Sequence, residues 1–436
     1  MPEALFVTVG GSPQPIITAI ESLTPQRVVF ICSGGKNSSV DQVTGAGCPC
    51  LISEKGKLVK KLPNIPEYCK LGDTFDTERD IMIVEDMDDL GSCYSEILKK
   101  IIEVKNESYT ILTDYTGGTK TMSAALAMAA LDEDSRLFLT TGIRKDLIKV
   151  SRGEHTEDVN TSEIHVEKIV RQIREMHLKR HDYSGAVFQL SDLLRTKTLS
   201  KQSKQRIRRL IKYNSAFELW DRFSHRQAWE LLEDSLDDAF IRPFALQLKR
   251  VIQSRRAIDP DYAEAPGMQG HGYELIEDLL KNAQRRESQS RYDDAVGRIY
   301  RALELMIQLY LKKEYDILTG DVDLSKLPDT AREKYEVFRA HDSGPIQISL
   351  KRSYELLFDL SDKKLQPLYQ TNANRIEGIL SIRNYSLFAH GFKSISKEQY
   401  EKFWEVAASF LYDAIQAASS ASTKKWEFLQ LPNYIV

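Results

Sequence analysis

The sequence predicts an α/β N-terminal domain with a mainly parallel sheet, followed by an all-α C-terminal region. In the first 150 residues, short β-rich apolar runs alternate with helical patterns, which is typical of a sheet covered by helices on both faces. After about residue 153, strand-like runs disappear, and amphipathic helical patterns continue to about residue 420. The charge balance changes there too. Residues 1–150 hold 16 Lys and Arg against 21 Asp and Glu, and the remainder holds 44 against 42.

The N-terminal elements alternate along the chain. They are a strand at 4–9, a helix at 16–23, strands at 27–32 and 81–84, a helix at 94–104, a strand at 109–113, a helix at 119–131 and a strand at 136–140. The stretch 45–80, with its glycines, prolines and lysines, is expected to be an irregular insertion or long loop. In the helical region, 259–271 is expected to be a linker, because prolines and glycines cluster there.

Composition sets limits on the class of protein. The chain has 436 residues, which at about 150 residues per domain suggests two or three domains. A hydrophobic content of 42% allows each domain a core, and a net charge of −3 argues against a globally basic nucleic-acid binder. No apolar run approaches the ~18 residues needed to span a bilayer, and the N-terminus lacks the basic region of a signal peptide. We therefore expect a cytoplasmic protein with no membrane partner.

Cysteine and histidine are separated along the chain. All five cysteines lie in the first 93 residues, and all eight histidines lie between His155 and His390. Acid–base chemistry by histidine is therefore available only after the N-terminal domain. Cys48 and Cys50 form a C-x-C pair, a weak match to zinc-site spacings, so free thiols in a reducing cytosol are favoured over a zinc site. We expect no bound metal.

Two glycine-rich loops each follow a predicted strand. The first glycine loop is residues 9–15 (Val-Gly-Gly-Ser-Pro-Gln-Pro), and the second glycine loop is residues 114–120 (Asp-Tyr-Thr-Gly-Gly-Thr-Lys). In an open α/β sheet both lie at the carboxyl edge, where ligands bind. Thr119 can cap the next helix, and Lys120 adds a charge to its positive end, which suits a phosphate. Neither loop is a Walker A or G-x-G-x-x-G motif. Two tight turns are the plainer alternative, but the pair favours a ligand site.

An arginine and a histidine lie seven residues apart near the C-terminus. The pattern predicts one helix over 374–392 that stops at Gly391, with Arg383 and His390 on the same face, separated by about 10.5 Å of helix rise. One such helix holds the two side chains too far apart, whereas two helices at a dimer axis could form a composite cleft. His390 would act as a general acid, Arg383 would stabilise phosphate charge, and Asn384 could orient either. The alternative is a helix-end histidine beside a solvated arginine.

The two glycine loops resemble a known sensor domain. Residues 9–15 and 114–123 are similar to motifs of the CRISPR-associated Rossmann fold (CARF) domain. This resemblance implies a Rossmann-like sensor over 1–153 that binds a cyclic oligoadenylate as a homodimer. Cyclic tetra-adenylate is favoured slightly over cyclic hexa-adenylate as activator. The implied ligand-binding residues are Gly10, Gly11, Ser12, Gln14, Thr116, Gly117, Gly118, Thr119 and Lys120.

The C-terminal motif resembles a nuclease signature. Arg383 to His390, followed by Gly391-Phe392, is similar to the Arg-x4–6-His motif of HEPN ribonucleases, and the segment 292–311 is similar to the companion helix of CARF–HEPN proteins. The resemblance implies a HEPN helical bundle at 281–436 behind a helical connector at 154–280. It also implies metal-independent cleavage of single-stranded RNA, in which the 2′-hydroxyl attacks to give a 2′,3′-cyclic phosphate. Arg383, Asn384 and His390 are then the catalytic residues.

These resemblances predict a cyclic-oligoadenylate-activated endoribonuclease of type III CRISPR antiviral defence, with no cofactor besides the activator. A non-catalytic nucleotide-sensing regulator with a helical protein-interaction region is the alternative from another class. A third option is that the sensor also cleaves its activator, using Thr116, Thr119 and Lys120. RNA sequence preference and assembly beyond a dimer are left open.

The stretch 193–217 holds eight basic residues and no acidic one. It could follow an RNA backbone, but a solvated helix face is the commoner explanation, so we assign no site there. Trp220 and Trp229, at helical spacing with Phe223, are expected in the core.

Overall fold

The structure is a computed structural model. It describes residues 1–35, 38–54, 57–144, 150–195, 199–341, 344–387, 389, 391–419 and 427–435, with backbone alone at 53–54, 57, 142–144 and 150–154. The chain divides into two compact units, Met1–His165 and Val166–Val436.

Unit 1 alternates strands and helices. Its strands are β1 (Glu3–Thr8), β2 (Arg27–Ser33), β3 (Cys50–Glu54), β4 (Lys57–Leu62), β5 (Ile81–Val84), β6 (Thr110–Asp114), β7 (Arg136–Arg144) and β8 (Val150–Asp158). Its helices are α1 (Gln14–Leu23), α2 (Asp41–Thr44), α3 (Ile65–Tyr68), α4 (Thr77–Asp80), α5 (Leu90–Asn106) and α6 (Lys120–Asp132). The predicted α/β class is confirmed.

In the described residues, a six-stranded sheet has the order β5-β2-β1-β6-β7-β8. Neighbouring strands are parallel except β8, which runs antiparallel to β7. Val7 of β1 pairs with both Phe30 of β2 and Asp114 of β6, so β1 and β6 end at one edge of the sheet. This register places the two glycine loops side by side.

Helices cover both faces of this sheet. Leu5 and Val7 of β1 pack in one core cluster with Ile16 of α1. Phe6, which points to the opposite face, packs in a second cluster with residues of α5 and α6 such as Ile97. This alternation explains the continuous apolar run of β1, since both of its faces are buried.

Two parts of unit 1 differ from the sequence prediction. The stretch 45–80, expected to be irregular, holds an antiparallel hairpin of β3 and β4 and the short helices α3 and α4. Its exposed Leu58 and Val59 beside lysines lack the pattern of a buried strand. The polar edge strand β8 was also missed, and the predicted boundary at residue 153 falls within it.

Unit 2 is helical. Its helices are α7 (Ser162–Met176, which begins in unit 1), α8 (Tyr183–Leu194), α9 (Lys201–Asp221), α10 (His225–Leu232), α11 (Arg242–Arg256), α12 (Glu274–Ser288), α13 (Tyr292–Tyr315), α14 (Asp329–Glu336), α15 (Leu350–Asp359), α16 (Leu365–Asn384) and α17 (Lys397–Ala418). They enclose one core, in which α13 packs against α12, α16 and α17. Trp220 and Trp229 are buried there as predicted.

The basic stretch lies largely on α9. The inward face of this helix is apolar, with Ile207 and Phe217 fully buried. On its outer side, Arg206 forms an ion pair with Glu167, and Lys212 is within hydrogen-bond distance of Ser235. These contacts fit a solvated helix face.

The C-terminal segment 427–435 packs back on the helices of unit 2. The side chain of Gln247 donates to the Leu429 carbonyl (2.9 Å) and accepts from the Leu429 N–H (2.7 Å). The Tyr183 hydroxyl donates to the Pro432 carbonyl (2.7 Å), and Arg285 donates to the Gln430 side chain (2.6 Å). The segment is therefore tied to α8, α11 and α12.

Among the described helices, none combines the length and apolar character that a membrane crossing requires.

Candidate functional site

The two glycine loops are in direct backbone contact. The Thr8 hydroxyl donates to the Gly117 carbonyl (2.7 Å). A Cβ atom on Gly117 would lie 2.2 Å from the Thr8 carbonyl oxygen, and one on Gly10 would lie 2.5 Å from the Gly118 nitrogen. Only glycine fits at Gly10 and Gly117, because any side chain would drive the two backbones apart.

The second glycine loop leads into α6 through a capped turn. Gly118 has φ +77°, a left-handed conformation that favours glycine. The Thr119 hydroxyl oxygen then accepts the Met122 N–H (3.2 Å) as the N-cap. The first turn of α6 has no acidic residue, and Lys120 is exposed. The positive helix end and the Lys120 charge are therefore both available to an anion.

Hydrogen bonds to the Asp114 carboxylate hold the second glycine loop in place. Its buried carboxylate accepts the Thr116 N–H (2.9 Å) and the Thr140 hydroxyl (2.8 Å), and the Thr116 hydroxyl oxygen accepts the Thr140 N–H (2.7 Å). Burial raises the pKa of Asp114, and the hydrogen bonds from Thr116 and Thr140 oppose that rise. Asp114 and Thr140 are not among the site residues predicted from the sequence. The available signal was a carboxylate at the end of a strand, directly before a glycine loop.

The first glycine loop presents its outer residues to solvent. Gly11 and Ser12 are exposed, and a Cβ on Gly11 would meet nothing within 4 Å. The Gln42 side chain donates to the Gly10 carbonyl and anchors the inner side of the loop. Gln14 opens α1, whose N-terminus has no side-chain cap. The structure thus brings the predicted binding residues of both loops to one edge of the sheet.

The predicted helix over 374–392 is wrong beyond Asn384. Helix α16 ends there, and the chain turns at once, with the Ser386 N–H donating to the Arg383 carbonyl (3.0 Å). Gly391 does not stop a helix. It lets the loop fold back, because a Cβ atom there would lie 1.9 Å from the Tyr385 carbonyl oxygen. The helical spacing that begins at Arg383 therefore ends at Asn384.

The structure describes two of the three predicted catalytic residues. His390 lies outside the described residues. Asn384 is exposed, and its side-chain oxygen accepts a long hydrogen bond from Arg383 (3.4 Å). Arg383 is half-buried in the last turn of α16.

Helix α13 contacts the chain both before and after the loop 385–393. The guanidinium of Arg383 lies over the Tyr300 ring, 4.3 Å from its centroid. Beyond the loop, the Ile395 N–H donates to the Asp293 carboxylate (3.0 Å). Asp293 and Tyr300 are seven residues apart on α13, so they share one face of the helix. The sequence singled out this helix by resemblance, but it gave no sign of which of its side chains touch Arg383.

The loop 385–393 also carries exposed apolar side chains. Tyr385 is 73% exposed, Leu387 63% and Phe392 93%. Three large apolar side chains so close together in solvent are typical of a surface that another chain or ligand covers.

The cysteines are free thiols. Burial raises the pKa of Cys32 to about 12 and that of Cys50 to about 11, so both are protonated at neutral pH. Over the part of the chain that the structure describes, no three His, Cys, Asp or Glu side chains converge as a metal site would need.

Comparison with known proteins gives a family match in the helical region and a similar fold for the whole chain. Residues 267–413 match the family model of the Csm6 HEPN domain, a range that includes α13 and α16. No curated protein matches the chain. The fold is similar to the solved structure of Enterococcus italicus Csm6 bound to cyclic hexa-2′-fluoro-hexa-dAMP, with a TM-score of 0.53 and 14% sequence identity over 96% of this chain and 94% of that chain. Residues 267–413 of the helical region therefore match a Csm6 HEPN domain, and the chain as a whole has a fold similar to that of the solved Csm6 structure.

Proposed function

We propose that this protein is a cyclic-oligoadenylate-activated endoribonuclease of type III CRISPR antiviral defence, cutting single-stranded RNA without a metal. The observation that carries the proposal is the place of Arg383. It lies inside the match to the Csm6 HEPN domain, at the end of α16 and against α13. The functional division that we propose is a sensor at 1–153, a connector at 154–280 and a nuclease at 281–436, although the family match already begins at residue 267.

In the proposed reaction, the RNA 2′-hydroxyl attacks the adjacent phosphorus and releases its proton to solvent, and the bond from phosphorus to the 5′-oxygen breaks. Arg383 stabilises the negative charge that builds on the phosphate oxygens. His390 protonates the leaving oxygen as general acid, and Asn384 orients the pair. The products are a 2′,3′-cyclic phosphate and a 5′-hydroxyl, so the step needs no external water.

The proposed active form is a homodimer. A composite cleft needs two copies of the loop 385–393 around one axis, and a two-fold interface uses the same patch on both chains. The exposed side chains of Tyr385, Leu387 and Phe392 support this, because a partner copy would remove them from water.

The proposed activator binds at the glycine loops. Exposed Gly11 and Ser12, the positive end of α6 and the Lys120 ammonium offer backbone N–H groups and charge to phosphates. The Enterococcus italicus Csm6 structure holds a cyclic ligand of six nucleotides, whereas the resemblance in the sequence slightly favours cyclic tetra-adenylate as activator. Both rings should therefore be tested. A ligand that binds one dimer state better than the other shifts the population towards it.

Cleavage of the activator by the sensor stays a prediction. The Thr119 hydroxyl oxygen caps α6, and the Thr116 hydroxyl oxygen accepts from Thr140, so both have structural roles already. Lys120 forms no ion pair within the described residues, which leaves it to bind the ligand.

The test is cleavage of labelled single-stranded RNA by purified protein in EDTA, with and without each cyclic oligoadenylate. We expect activator-dependent cleavage with 2′,3′-cyclic phosphate ends. Arg383→Ala should abolish it, whereas the matched control Arg375→Ala, an exposed arginine on the same helix, should not. Absence of cleavage by the parent under every condition would instead favour a non-catalytic nucleotide-sensing regulator.

A further inference from the structure

Unit 2 contains a cavity of about 420 Å³ that the nuclease proposal does not use. It lies where the start of α8 meets the C-terminal ends of α9 and α12. None of the predicted catalytic or activator-binding residues lines it. A volume in this range is typical of small-ligand sites.

Four guanidinium groups surround this cavity. Arg180, Arg222 and Arg291 are exposed at its rim, and Arg286 is buried in its wall. Burial, together with the charge of the nearby Arg285, lowers the pKa of His181 in the same wall to about 4. That imidazole is neutral at pH 7, so the positive charge comes from the arginines alone.

One of the three carboxylates in the cavity wall is held by two arginines. Asp221 accepts from Arg285 (2.6 Å) through one oxygen and from Arg286 through the other. Arg286 is only 8% exposed as a residue, and its side-chain Nε has no hydrogen-bond partner among the described residues. A buried N–H donor without an acceptor is costly.

The other two carboxylates are also occupied. Asp182 accepts from the Gly185 N–H (3.0 Å) and is hydrogen-bonded to the His177 ring (2.6 Å). Glu218 accepts from Arg222 (3.2 Å). The acceptors of the cavity therefore already have protein donors.

The arginines, in contrast, carry more N–H donors than their contacts within the protein use. Each guanidinium carries five N–H donors. Arg291 forms one ion pair, with Asp294, and Arg180 forms none within the described residues. The cavity therefore presents an excess of fork-shaped cationic donors, the geometry that matches the oxygens of a phosphate.

We propose that this cavity binds a phosphate group, supplied either by the backbone of a single-stranded RNA or by a free nucleotide. The site is separate from the Arg383 region and from the glycine loops. It would hold an RNA strand away from the point of cleavage, or a mononucleotide as a ligand in its own right.

The test replaces the two rim arginines whose loss disturbs the fold least. In the variant Arg180→Ala/Arg291→Ala, Asp294 keeps an ion pair with Arg298 (3.4 Å). The matched control is Arg242→Ala/Arg256→Ala, which removes two exposed arginines from the ends of α11, outside the cavity. Thermal unfolding checks that both variants are folded.

Binding is measured on the full chain with two probes. The first is a fluorescent 2′-O-methyl oligonucleotide, which lacks the nucleophile and cannot be cut, titrated at several salt concentrations. The cavity variant should bind it about tenfold more weakly, with the slope of log K against log salt reduced by about 0.7, the contribution of one phosphate, while the control matches the parent. The second probe is adenosine monophosphate, followed by calorimetry.

The outcomes separate the two sources. Loss of oligonucleotide binding assigns the site to an RNA strand, and loss of adenosine monophosphate binding alone assigns it to a free nucleotide. If the cavity variant binds both probes as the control does, the proposal is overturned. Cleavage is not measured, so failure here is distinguishable from failure of the nuclease proposal.

Discussion

The guanidinium carbon of Arg383 lies 4.3 Å from the centroid of the Tyr300 ring. A cation–π contact of this kind contributes roughly 0.5–2 kcal/mol, depending on how far it is desolvated. Since Arg383 is half-buried at a helix end, the ring limits the positions that its guanidinium can take. Tyr300 is thus a positioning residue for the proposed catalytic arginine.

Removal of this ring should slow cleavage more than binding. We expect Tyr300→Ala to lower kcat about tenfold with KM nearly unchanged, because the arginine loses its preferred position. Tyr300→Phe keeps the ring and should retain most of the rate. Steady-state kinetics on a labelled RNA measure both. Equal rates in the parent and the alanine variant would contradict this role.

A methyl group at Gly391 should disrupt the loop 385–393. Because its Cβ would lie 1.9 Å from the Tyr385 carbonyl oxygen, the loop must open, and we expect Gly391→Ala to lower the cleavage rate at least about tenfold. Gly378→Ala is the matched control in α16, where a Cβ would meet nothing within 4 Å. That control should keep full activity and gain about 0.5–1 kcal/mol in free energy of unfolding. The idea fails if both variants cleave alike.

Loss of the Lys120 charge should weaken activation without altering the nuclease. We expect Lys120→Ala to raise the activator concentration for half-maximal cleavage about fivefold to tenfold, with the same rate at saturation. Lys99→Ala removes an exposed lysine from α5 and serves as control. Chromatography of labelled activator from the same reactions shows whether the ring is opened. An unchanged dose-response would remove Lys120 from the binding site.

The buried carboxylate of Asp114 should leave a signature in the pH dependence of stability. Burial raises its pKa in the folded chain above the ordinary value of 3.8, so the folded state binds more protons than the unfolded state between these two pKa values. The free energy of unfolding therefore falls as pH rises through that window and is level above it. Asp114→Asn cannot titrate, so this decrease should be absent. Urea unfolding between pH 4 and pH 7 measures it, and parallel curves would show that Asp114 does not contribute.

Local patterns predicted the α/β fold of unit 1 well. Strand β5 occupies the predicted residues 81–84, and the adjacent loops follow from parallel strands that end at one edge. The same patterns missed β8, whose polar sequence has no apolar alternation, because pairing with β7 alone makes it a strand.

The end of α16 shows where helical spacing fails as a predictor. The helical spacing of Ile376 and Ile379 continues to Leu387, yet the helix ends at Asn384. The turn depends on contacts from outside the helix, including the hydrogen bond from Leu387 to the Lys393 carbonyl (3.0 Å). The approach of Tyr300 to Arg383 likewise depends on how α13 packs, and residue spacing along one helix cannot give it.

The contacts of the C-terminal segment 427–435 limit where this chain can be divided to make fusion proteins. The HEPN match ends at residue 413, but the chain continues to Gln430 and Pro432, which bond to Arg285 inside the match and to Tyr183 before it. The range of the family match and the range of the folded unit therefore have different limits. A gene fusion that transferred only the matched residues would leave the anchors of this segment without partners. Exchange of the proposed sensor is expected to succeed only when the helices from α8 onward are kept together with the proposed nuclease.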